Sequence, residues 1–234
     1  AFFTSEFKNS AFLTKDGGGD LGDTRGFVFG EFNKNKIIIK RQNHDFKNLS
    51  LFHDYLTDSL GFSYFSNGKT SGLASYGRVV PELKSKFNNF LKVSDKGVFF
   101  TNKRFKNSKP RFDKFNSSTY ERYKIFRSYP SDTNLFRASA SYLKVDIAAT
   151  GEQVLKEKLY ELLKIMKKKT KMENLVCSGG LFQNVSLNNY IINSGIFKNY
   201  FFPMANSDAG LSLGGALYVK HSVKKIKKNN IFFD

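Results

Sequence analysis

The stretch that most restricts the fold is Asn174–Tyr218. Asn174-Leu175-Val176-Cys177 is a short apolar run closed by Ser178-Gly179-Gly180, the pattern of a buried parallel strand and a tight turn. After the turn the spacing predicts a helix, with Leu181, Val185 and Ile192 on one side. A second strand, Tyr200-Phe201-Phe202-Pro203, leads to Ala205-Asn206-Ser207-Asp208-Ala209-Gly210 and another helix. Gly210, Gly214, Gly215 and Ala216 keep one side of that helix thin enough to pack closely on a neighbour. Glycines between strand and helix let backbone approach a ligand, and a helix N-terminus offers N–H groups to an anion. Asn184 would stand near the first turn, within reach of the same ligand. Asp208 lies where a strand ends and a helix begins, a common place for site residues in α/β folds. Both features have a plainer reading: a turn whose glycines serve only packing, and an aspartate that caps a helix.

The remaining chain supplies a second glycine loop and a clear helix. Residues 11–15 and 26–32 read as strands around Asp16-Gly17-Gly18-Gly19-Asp20, and Ile37–Lys40 as a third. Strand, glycine loop and strand can cradle a phosphate, and an acidic residue at the first strand's end can bind a metal; a hairpin turn is the alternative. Leu49, Phe52, His53, Leu56 and Leu60 are spaced as one helical face. Gly68-Lys69-Thr70 imitates the end of a P-loop, but Ser63 stands where that loop needs its first glycine. Between Asp146 and Lys171 a helix is predicted from the stripe Leu155, Leu159, Leu162, Leu163 and Met166, with Lys167-Lys168-Lys169 complementing its negative end. Residues 79–145 are irregular, and Lys103–Lys106 and Lys109–Phe112 mix cations with aromatics; we read them as a loop-rich insertion rather than a strand binder.

Charge and composition narrow the classes. The formal net charge is +18, which suits nucleic acid, an anionic surface or a phosphorylated substrate. The joint wealth of Lys, Asn, Phe and Ile gives the charge a compositional explanation, so a nucleic-acid partner is not expected; a basic nucleic-acid or anionic-surface binder, or a catalytically degenerate relative of an enzyme, is the alternative reading. No apolar run reaches the roughly 18 residues of a membrane span, and the N-terminus carries no secretory pattern, so the expected location is cytoplasmic. The one cysteine, Cys177, falls in the predicted core strand and excludes an internal disulfide. The three histidines, His44, His53 and His221, are not spaced as a metal pair.

Six stretches in order resemble one family, the O-carbamoyltransferases of the NodU/CmcH type. They are Ala1-Phe2-Phe3 through Asp16–Asp20, His44 through Phe62, Lys69 through Gly77, Asp146–Ala149, Ser178–Asn184, and Asp208 through Tyr218. The resemblance implies an α/β fold: a ribonuclease-H-like mixed sheet flanked by helices, the actin-like ATPase superfold, incomplete here and interrupted by an irregular insertion. It also implies transfer of a carbamoyl group from carbamoyl-adenylate, made from carbamoyl phosphate and ATP, to a hydroxyl-bearing acceptor. By the same resemblance Gly17, Gly18, Gly19, Ser178, Gly179, Gly180 and Asn184 bind nucleotide. Asp16 and Asp208 are the counterparts of two metal-binding aspartates, the metal expected to be Fe(II), while Lys69 and His44 lie towards the substrate. The catalytic base is not assigned.

The family's histidine pair, its first β-rich subdomain and its adenylate-forming C-terminal domain have no counterpart in these residues. A fragment or one piece of a split protein is therefore expected, inactive by itself. Its nucleotide-binding core comprises 1–78 and 146–220, its insertion 79–145, and its basic tail 221–234.

Overall fold

The computed structural model describes residues 1–16, 27–33, 36–43, 49–63, 66–101 and 141–224. Its centre is β1 (Asn9–Lys15), whose side chains alternate between two apolar layers. Ala11 and Leu13 enter the larger core, while Phe12 enters a smaller one with Phe2, Phe3, Val176 and Leu217. Such two-sided burial is what a central strand requires.

β2 (Phe27–Asn33) pairs antiparallel with β1, and β3 (Lys36–Asn43) pairs antiparallel with β2. On the other flank β6 (Asn174–Ser178) runs parallel to β1, and β7 (Asn199–Phe201) runs parallel to β6. The five-stranded mixed sheet has the order β3-β2-β1-β6-β7.

Helices cover the larger core. α1 (Leu49–Ser59) buries Leu49, Phe52 and Leu56 as its periodicity predicts. α4 (Lys144–Thr170) buries the whole expected stripe from Leu155 to Met166 and ends where Lys171 turns left-handed at φ 55°. Gly151 of α4 is pressed against α1: a Cβ there would stand 2.3 Å from Leu56 Cδ2. The two helices cross closely at that point.

α2 (Asn67–Ala74) contains Gly68-Lys69-Thr70, so this segment is a helical turn and not a phosphate loop. Part of the stretch expected to be irregular is regular: α3 (Pro81–Phe90) leads into the hairpin β4 (Leu91–Ser94) and β5 (Gly97–Phe100). Leu83, Phe87, Leu91, Val98 and Phe100 join the main core. The cation–aromatic runs Lys103–Lys106 and Lys109–Phe112 lie outside the described residues.

Two expectations need correction. A 3₁₀ turn over Gly180–Gln183 precedes α5 (Val185–Asn193), so the helical phase is reset at Asn184. Leu187 and Ile191 face the core, whereas Val185 and Ile192 are 78% and 47% exposed. Of the glycines expected to pack closely beside α6 (Leu211–Tyr218), Gly210 does, since a Cβ there would stand 2.2 Å from the Ala205 carbonyl oxygen, but a Cβ on Gly214 or Gly215 would have nothing within 4 Å among the described residues. Only Leu217 of this helix is buried. No helix among the described residues is long and apolar enough to cross a membrane.

Candidate functional site

Parallel pairing of β1 with β6 sets Thr14 opposite Ser178, so both strands deliver their C-terminal ends to the same edge. Crevices outside the carboxyl ends of parallel strands are where α/β sheets bind ligands. Asp16 follows β1 and Ser178-Gly179-Gly180 closes β6. The Gly180 N–H donates to Asp16 Oδ2 at 3.0 Å, which joins the two turns directly.

Gly179 makes this approach possible. Its φ is 106°, and a Cβ there would lie 2.2 Å from the Lys15 carbonyl oxygen. Both facts require glycine.

A third segment closes on the same turn. Gly179 N–H donates to the Asn206 carbonyl at 2.9 Å, and the buried Asn206 amide donates to the Phe182 carbonyl at 3.0 Å. Two residues on, Asp208 opens a 3₁₀ turn (Asp208–Gly210) and is exposed. Asp16 thus touches the glycine turn itself, and the Asp208 loop reaches it through Asn206. The N–H groups of Gly179 and Gly180 are both engaged within the fold, the second of them by a carboxylate.

Asn184 is the N-cap of α5. Its Oδ1 accepts the Leu187 N–H at 3.0 Å, and its Nδ2 donates to Glu152 Oε2 at 3.0 Å and Ser71 Oγ at 3.1 Å. The sequence reading did not single out Glu152, because one carboxylate on an amphipathic helix looks like a solvated charge. In the fold it is 3% exposed. Ser71 also donates to its Oε1, and His53 Nε2 stands 2.9 Å from the same oxygen. That contact is at ion-pair distance, although the ring nitrogen makes no aligned hydrogen bond. Burial by itself raises the Glu152 carboxyl, but His53, Ser71 and Asn184 outweigh it and hold it below the ordinary glutamate value.

Lys15, beside Asp16, is fully buried, with Nζ 5.5 Å from the centre of the Phe27 ring. Desolvation lowers its ammonium to about 7 against an opposing pull from Asp16. Cys177 is a free, buried thiol, pushed up by the same effect, as a packed core residue should be. Lys69 is exposed on α2. Gly17, Gly18, Gly19 and His44 lie outside the described residues.

Asp16 and Asp208 were expected to hold a divalent ion; both carry hard carboxylate oxygens of the kind such ions take, and the Gly180 N–H fixes the orientation of Asp16. Among the described residues no three His, Cys, Asp or Glu side chains gather into a metal-holding group. Further ligands would have to come from elsewhere.

Comparison with known proteins identifies the family. The carbamoyltransferase N-terminus family matches residues 1–217. The chain is 26% identical over 223 residues to the nodulation protein NolNO of Sinorhizobium fredii, covering 95% of this chain and 30% of that protein. It is 27% identical over 220 residues to the nodulation protein NolO of Bradyrhizobium diazoefficiens, covering 94% and 36%. An uncharacterized protein of Methanocaldococcus jannaschii is 27% identical over 247 residues, covering 99% and 41%. The chain spans about a third of the length of the curated relatives it matches. It belongs to the carbamoyltransferase N-terminus family.

Proposed function

From this membership we propose that the chain supplies the nucleotide-facing part of a carbamoyltransferase. In this reading carbamoyl-adenylate is bound across the edge where β1 and β6 end, and its carbamoyl group passes to a hydroxyl of a small-molecule or sugar acceptor. The acceptor oxygen bonds to the carbamoyl carbon, the bond from that carbon to the adenylate oxygen breaks, and the hydroxyl proton leaves to a base. The observation that carries the reading is the Asp16–Gly180 clasp, found within a stretch that matches the family from residue 1 to 217.

Each group has a physical task. The glycine turn gives the backbone close access to the adenylate, since side chains are lacking there. Asn184, held at the head of α5, borders the same turn. Asp16 and Asp208 contribute oxygen ligands to a divalent metal, with Fe(II) the ion to test first. When bound, such an ion supplies Lewis-acid polarisation of a carbonyl oxygen. In this reading Lys69 and His44 serve the acceptor side, and no residue is assigned as the base. The strand order β3-β2-β1-β6-β7, with an antiparallel meander joined to parallel strands, supports a ribonuclease-H-like sheet of the actin-like ATPase kind.

The test is carbamoyl transfer and ATP binding by the protein, measured with and without Fe(II), in parallel with Asp16→Ala and Asp208→Ala. Loss of metal-dependent ATP binding in both variants supports the site. Equal binding by wild type and both variants would remove the aspartates from it.

A further inference from the structure

The Glu152 cluster asks for a reason. A carboxylate buried among helices costs several kcal/mol of desolvation, and packing does not demand one. An apolar residue at this position of α4 would continue the stripe that Leu155 and Leu159 already form. Instead the carboxylate faces groups from three other elements: His53 of α1 at ion-pair distance, and Ser71 of α2 and Asn184 at the head of α5, which both donate hydrogen bonds to it. The close crossing at Gly151 brings α1 and α4 near enough for this meeting. Asn184 is then fully committed, its amide hydrogens facing Glu152 and Ser71 and its oxygen capping α5 through Leu187. Buried hydrogen bonds such as those Glu152 accepts from Ser71 and Asn184 fix a geometry more than they add stability.

What is fixed here lies four residues beyond Gly180. We propose that Glu152 is a positioning residue: by holding Asn184 it sets where α5 begins, and so holds the Ser178–Gly180 turn in the shape that receives the nucleotide. This rests on the reading of that turn as a nucleotide site. Glu152 does not touch the ligand in this account. It acts through Asn184.

Two readouts test it, one without any ligand. In ¹H–¹⁵N spectra of the unliganded chain, the Asn184 side-chain amide should be shifted by its carboxylate partner and slow to exchange. Glu152→Gln keeps the shape and an acceptor oxygen, so the amide should stay protected; Glu152→Leu should release it. In ATP titrations, Glu152→Gln should bind within about threefold of wild type, whereas Glu152→Leu, folded by circular dichroism, should bind about tenfold more weakly, the scale of one hydrogen bond lost from a binding geometry. If Glu152→Leu fails to fold, Ser71→Ala replaces it, with an expected loss of about threefold. Release of the Asn184 amide with unchanged ATP affinity overturns the role of Glu152 while leaving the nucleotide reading standing. A protected amide in a wild-type chain that binds no ATP overturns the nucleotide reading, and the proposed role with it.

Discussion

The carboxylate of Asp16 and the backbone N–H of Gly180, 164 residues apart in sequence, are joined by a 3.0 Å hydrogen bond. Parallel pairing of β1 and β6 puts them on one sheet edge, and the bond fastens two turns that the chain could otherwise open separately. Asp16→Asn keeps an acceptor for Gly180 but loses the charge, whereas Asp16→Ala loses both. We expect Asp16→Ala to cost about 1 kcal/mol of stability in denaturant unfolding and Asp16→Asn less. Both should abolish carbamoyl transfer where it is measurable.

Asp208 should separate function from stability. It is exposed at the start of a 3₁₀ turn, so Asp208→Ala should move the unfolding midpoint by less than about 0.5 kcal/mol in free-energy terms. Metal-dependent ATP binding should nevertheless be lost. A variant that binds Fe(II) and ATP as wild type does would take Asp208 out of the site.

Gly179→Ala combines a left-handed backbone with a collision. The new Cβ would meet the Lys15 carbonyl at 2.2 Å, and neither group is the flexible end of a side chain. The expected destabilisation is about 2 kcal/mol or more, read from urea unfolding. A change below about 0.5 kcal/mol would show that the turn has another conformation.

Lys15 gives stability a pH dependence on the alkaline side. Its ammonium is near 7 in the folded chain against 10.5 ordinarily, so between those values the unfolded chain holds a proton that the folded chain has released. Stability from this group therefore rises as pH climbs from about 7 to 10.5, and that part is lost as pH falls back through 7. Lys15→Met should flatten this limb and raise stability near neutral pH by a few kcal/mol, on the order set by the linkage. Chemical denaturation at several pH values, with the variant alongside, checks it.

Glu152 acts on the acid side. Its folded-state carboxyl lies below the ordinary value of 4.5, so its contribution is complete above 4.5 and fades as pH falls through the lower folded value. Glu152→Gln should shed this dependence, visible as a shallower acid limb in thermal melts. An unchanged limb would mean that the carboxylate is not held as an anion in the fold.

Much of the fold was legible because it is written in local pattern. The stripe Leu155–Met166 has the helical period, Leu175–Cys177 is apolar throughout, and Ser178-Gly179-Gly180 has the glycines a sharp strand-to-helix turn needs; all three stand in the structure as the pattern requires. The misreadings have local causes too. Val185 and Ile192 were placed on the buried side by extending one period through Gln183, where a 3₁₀ turn and the Asn184 cap interrupt it. Residues 81–100 looked irregular because a ten-residue helix and two four-residue strands are too short for their periods to stand out.

The sequence by itself determined the long helix Lys144–Thr170, the core strand Asn174–Ser178 and the glycine turn that follows it, because periodicity and backbone sterics act over a few neighbouring residues. Tertiary structure alone decided that Asp16 meets Gly180, that Asn206 meets Gly179, and that Glu152 gathers His53, Ser71 and Asn184. Those meetings depend on strand register and on how closely α1 and α4 cross. Both are set by the summed packing of distant side chains, and no short window of the chain contains that information.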